Sequence, residues 1–97
     1  MPKAYLIANI HATGAPPPPP EYFRAFQEGL KKFGARRVIG SNEIDHREGK
    51  MDIGRLLVLE YADKATAVAA LEEYLRDVMP LNPNKPKREM FIVEGVE

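Results

Sequence analysis

Arg55-Leu56-Leu57-Val58-Leu59-Glu60 is the most apolar stretch of this 97-residue chain. Leucine and valine fall on both faces of any strand drawn through it. A strand apolar on both faces belongs in the middle of a covered sheet. The run 53–60 is therefore read as a central strand. Just after it, Asp63 stands where a helix N-cap belongs. Val68, Leu71, Leu75 and Val78 then recur at helical spacing through 64–78, until Pro80 ends the pattern. Just before it, a turn near Glu48-Gly49-Lys50 leads back to a shorter strand, 35–43. Further out, the run 21–33 carries Phe23, Phe26, Leu30 and Phe33 as one helical stripe. Pro20 and Glu21 suit its first turn, and Gly34 suits a left-handed end. The run 3–10 and the run 89–94, with Met90-Phe91-Ile92-Val93, supply the outer strands. The order is β-α-β-β-α-β, an α+β ferredoxin-like sandwich with a four-stranded antiparallel sheet, in one domain, 1–97. The first and third strands are expected side by side.

Composition narrows the function classes. Fourteen basic and fourteen acidic residues give zero formal net charge, so no basic face for nucleic acid or anionic membranes is expected. The chain has no cysteine, which removes disulfides and thiolate metal sites. No apolar run approaches the roughly 20 residues of a membrane helix. Pro2 and Lys3 lead straight into a strand with no signal-peptide pattern. A cytoplasmic location is expected. A chain this short buries only about two-thirds of its unfolded surface. Strand 3–10 is apolar on both faces, Ala4, Leu6, Ala8 and Ile10 on one and Tyr5 and Ile7 with Asn9 and His11 on the other. Two helices cover one face of such a sheet, so a second copy is the simplest cover for the other.

The five prolines at 16–20 favour an extended polyproline II conformation. They lie between core elements without a basic anchor beside them, so they read as a stiff connector rather than an SH3-type ligand. The β-α-β-β-α-β order is shared with RNA-recognition motifs. The strand at 55–59 carries no stacking aromatic, however, and Leu6 stands where another is wanted, so RNA binding is not expected.

Several segments resemble one family. These are Met1-Pro2-Lys3-Ala4-Tyr5-Leu6-Ile7-Ala8, Pro20-Glu21 with Phe23 and Phe26, and Leu30-Lys31-Lys32-Phe33-Gly34-Ala35-Arg36. Gly54-Arg55-Leu56-Leu57-Val58-Leu59-Glu60-Tyr61, Glu73-Tyr74 and Val93-Glu94-Gly95 complete the set. Together they look like the family known as domain of unknown function 1330, within the ferredoxin-like dimeric α/β-barrel superfamily. Ala70-Leu71 replaces an aromatic pair usual there. The resemblance implies a homodimer in which two sheets pack face to face to form a dimeric α/β barrel. It carries no activity across.

In such a barrel, Tyr5, Asn9, His11, Arg55, Leu57, Leu59 and Tyr61 are the candidate ligand-binding residues. They would form an apolar pocket with a few convergent polar groups. His11 and Arg55 are the candidate catalytic pair, a general base and an anion anchor. The plainer readings are a histidine capping the strand end, Asn9 bonding locally and an arginine in an ion pair. Asp45-His46 and Glu43 lack metal-ligand spacing, so no metal and no cofactor is expected. The expected function is a homodimer binding a small apolar or aromatic molecule between its sheets. The alternatives are a cofactor-independent oxygenase or isomerase in the barrel, and a structural dimer without a ligand. On this reading Leu57→Asp breaks the dimer.

Overall fold

The computed structural model describes residues 1–84 and 86–96. Its elements follow the expected order: β1 (Ala4–His11), α1 (Pro20–Lys32), β2 (Arg36–Ser41), β3 (Arg55–Tyr61), α2 (Lys64–Glu73) and β4 (Lys87–Glu94). The strands form one sheet in the order β2-β3-β1-β4, and each neighbouring pair is antiparallel. This is the ferredoxin-like α+β arrangement, with β1 and β3 at the centre.

Local chemistry sets the element ends. The chain enters α1 from Pro19, in extended backbone at φ −68° and ψ 161°, and Pro20 occupies the first helical position, where its missing N–H costs nothing. Gly34 ends the helix at φ +64°, a conformation that other residues adopt reluctantly. The Asp63 carboxylate accepts from the Thr66 backbone N–H at 2.8 Å and caps α2. Past Glu73 the chain keeps coiling through a π-helical turn, Tyr74–Val78, closed by a bond from the Met79 N–H to the Tyr74 carbonyl. A 3₁₀ turn, Met79–Leu81, follows, with Pro80 inside it.

Strand register sorts the side chains into two faces. Ala4 pairs with Tyr61, Leu6 with Leu59, Ala8 with Leu57 and Ile10 with Arg55. Directly paired residues share a face. These eight therefore lie on the helix side, joined by Arg88, Met90 and Ile92 of β4. The core forms there from Ala4, Leu6, Leu59, Tyr61, Ala67 and Ala70. Tyr5, Ile7 and Asn9 occupy the opposite face with Leu56, Val58 and Glu60, and no helix covers them. In β2 the register jumps at Val38, because Arg37 opposes Leu59 while Ile39 opposes Val58. One extra residue in the strand thus sends Arg37 to the helix side and Ile39 to the open side.

The inward face of α2 differs from the expected stripe. Ala67 and Ala70 are buried with Val78, whereas Val68 and Leu75 are more than a third exposed. Alanines let the helix sit close to the sheet, and that closeness outweighs the larger aliphatics one residue along. α1 has no buried residue. It lies higher over the sheet and leaves a space beneath it.

Candidate functional site

A cavity of about 440 Å³ lies between α1 and the helix side of the sheet. Its floor is apolar: Leu6, Ala8, Leu57, Leu59 and Met90. Its roof is the inward face of α1, where Tyr22, Phe26, Gly29 and Phe33 follow one another at spacings of four, three and four. Gly29 breaks this aromatic stripe, and a Cβ placed on it meets no atom within 4 Å. The helix therefore bears a notch above the sheet. Leu71, Tyr74 and Val78 make the end wall, and Pro16, Pro17 and Pro18 run along the mouth. The prolines act as the connector the sequence suggested, and they also wall the cavity.

Polar groups gather at one end. The Arg88 guanidinium donates to the Tyr74 hydroxyl at 2.6 Å and approaches the Met79 sulfur at 3.1 Å. It also lies 5.1 Å from the centre of the Tyr74 ring. The Tyr74 and Tyr22 hydroxyls are 2.6 Å apart. Burial, reinforced by the bond to Tyr74, pushes the Tyr22 phenol well above its ordinary range. It therefore stays a neutral hydroxyl, able to donate, at any physiological pH. Burial raises Tyr61 as well. Arg55 and Arg37 line the same cavity from β3 and β2. Among the described residues, no Asp or Glu lines it, and Arg37, Arg55 and Arg88 carry no ion pair.

The seven candidate ligand residues are divided by the sheet. Arg55, Leu57, Leu59 and Tyr61 border the cavity on the helix side. Tyr5 and Asn9 lie on the open face, where Tyr5 donates to Glu60 at 3.2 Å. Asn9 holds the loop before β3. Its amide donates to the Asp52 carbonyl at 2.9 Å and to Glu89 at 3.3 Å, and its oxygen accepts from the Gly54 N–H at 2.9 Å. His11, the last residue of β1, borders both faces. Its Nε2 is 2.8 Å from Glu89 and its Nδ1 is 3.7 Å from Asp52. The imidazole is thus held between two carboxylates on the open side. A depression of about 480 Å³ there, bordered by Ile7, Met51 and Phe91, includes Asn9 and His11. The sequence reading missed Tyr22, Tyr74 and Arg88. A Glu73-Tyr74 pair was visible, but nothing in the one-dimensional pattern joins it to residues 22 and 88. Among the described residues no group of three or more His, Asp or Glu could hold a metal ion, and no helix is long and apolar enough to cross a membrane.

The model of one protein family, described as domain of unknown function (DUF1330), matches residues 3–96. The chain belongs to that family. The match covers all six elements of this DUF1330 protein, the cavity and the open face included. No curated protein matches the chain closely enough to count as a relative.

Proposed function

We propose that this DUF1330 protein is a cytoplasmic homodimer that binds a small apolar or aromatic molecule in the cavity beneath α1. The observation that carries this reading is the cavity itself. It has aromatic and aliphatic walls from both helices, the proline connector and the sheet, with a small number of polar side chains among them. Its volume falls within the roughly 300–1,000 Å³ of small-molecule sites. The open-face depression is the weaker candidate, because its polar groups already bond one another. The same holds for the reading as an oxygenase or isomerase. That reading needs a free base in the ligand cavity, and the His11 ring is bonded to Glu89 on the other side of the sheet.

The second copy is expected on the open face. Phe91 is 51% exposed there on β4, with Val93 two residues along the same strand, and Ile39 is exposed on β2 at the far edge of the same face. Exposed aromatic and β-branched side chains clustered on a strand face mark a surface that another surface covers.

The test is a titration with N-phenyl-1-naphthylamine, an uncharged aromatic whose fluorescence rises in apolar surroundings. Saturable binding of one probe per chain is expected, lost in Gly29→Leu, whose side chain fills the notch. Absence of saturable binding, or binding unchanged by Gly29→Leu, overturns the proposal.

A further inference from the structure

We infer that the molecule held beneath α1 is an anionic amphiphile, an aromatic or aliphatic body ending in a carboxylate-like group, and that Arg55, Arg88 and Arg37 take its charge. This rests on the cavity reading above and names the ligand class that reading leaves open.

The register puts Arg55 and Arg88 in one row across the sheet. Ile10 of β1 pairs with Arg55 on one side and Arg88 on the other. Cross-strand neighbours are about 5 Å apart, so the two Cα atoms lie about 10 Å apart with only Ile10 between them. Both side chains rise on the helix face, where the Arg88 guanidinium is held at Tyr74 and Met79 and the Arg55 guanidinium lies on the β2 side of its strand. Arg37 enters from β2. A Cβ placed on Gly40, directly opposite Leu57, would lie 3.4 Å from Arg37 Cδ and 3.9 Å from Arg55 Nη2. The bare glycine leaves room for these two side chains to lie together.

Three guanidiniums around one apolar cavity repel one another unless an anion joins them. For Arg88, the one of the three that is partly withdrawn from water, the usual remedy is a carboxylate from the protein, since such charges are normally paired. None lines this cavity among the described residues. Arg88 is half-buried, yet its partners are a phenol and a thioether, both neutral. These fix its direction without neutralising it. The Tyr22–Tyr74 hydroxyl pair adds a neutral donor beside it. A planar guanidinium fork matches a carboxylate or phosphate in a bidentate way. The apolar floor then takes the rest of the molecule.

The test uses a matched pair of probes. 8-Anilinonaphthalene-1-sulfonate is N-phenyl-1-naphthylamine with one sulfonate added. Wild-type protein is expected to bind the sulfonate at least about tenfold more tightly than the neutral probe. Arg88 also braces Tyr74 and Met79, so the decisive variants are Arg55→Gln and Arg37→Gln, whose side chains are exposed. Each should weaken the sulfonate by about three- to tenfold and leave the neutral probe within twofold. Arg55→Lys should recover part of the loss. Equal affinity for the two probes overturns the anion inference while keeping the cavity. So does a preference for the sulfonate that neither glutamine variant reduces. Failure to bind either probe overturns the cavity and the inference together.

Discussion

Asn9 shows how one side chain can look like a binding group and serve as a joint. It is 9% exposed, and three polar contacts use its amide. They fasten residues 52 and 54 to β1, where β3 must begin in register. The same joint needs Gly54, because a Cβ there would stand 2.2 Å from the Ile10 carbonyl oxygen. No side chain fits at that distance. Asn9→Ala removes the acceptor for the Gly54 N–H and leaves it unpaired against β1. A buried donor without a partner costs about 1–3 kcal/mol. A urea titration should show a loss of that size, with no change in binding of the neutral probe. A variant as stable as wild type would mean that the loop holds its place by other contacts. The sequence hinted at this role, since an asparagine at a strand end often bonds nearby, but its partners lie more than 40 residues away along the chain and no spacing rule reaches them. Arg55 illustrates the opposite case. Its place in a distinctive motif was legible, and its face was not, because a strand apolar on both sides does not say which side the helices take.

At the scale of elements, periodicity made the order of strands and helices legible, with ends placed within a few residues. The parts that were not legible each have a physical reason. The stripe read as Val68, Leu71, Leu75 and Val78 holds for Leu71 and Val78, while Val68 and Leu75 give way to Ala67 and Ala70, because alanines weigh little in any hydrophobic pattern and yet suit close packing against a sheet. The extra residue at Val38 left no sequence signal, and it alone decides that Arg37 reaches the cavity. α1 shows most plainly how an open cavity opposes stability. Phe26 and Phe33 flank Gly29 on the inward face, where a larger side chain would fill space. Glycine in a helix interior costs roughly 0.5–1 kcal/mol relative to alanine. The added methyl of Gly29→Ala would meet nothing within 4 Å. Gly29→Ala should therefore raise the unfolding free energy by about that amount in urea. A destabilised variant would mean that α1 already closes on the sheet and that the notch is not open.

On the scale of the whole molecule, the chain is a slab of 40 × 38 × 17 Å. Sheet and helix layers packed about 10 Å apart account for its thin dimension. No large side chain among the described residues is fully buried, and on the open face Val58 is buried while Phe91, Val93 and Ile39 are exposed. A face-to-face dimer would convert Ile7, Val58, Phe91 and Ile39 into a second core without touching α1. Leu57 points into the helix side, so Leu57→Asp attacks the fold of each chain rather than the contact between chains. The substitution that tests the contact is Phe91→Asp. The side chain is half exposed in the single chain, so a carboxylate there is solvated in a monomer and stripped of water in a dimer. Sedimentation velocity should find wild type as a dimer and Phe91→Asp as a monomer with the same circular dichroism. A monomeric wild type, or a dimer that tolerates Phe91→Asp, would place the cover of the open face elsewhere. The cavity lies on the opposite side of the sheet from Phe91. The monomeric variant should therefore still bind the neutral probe, which separates assembly from ligand capture in one protein.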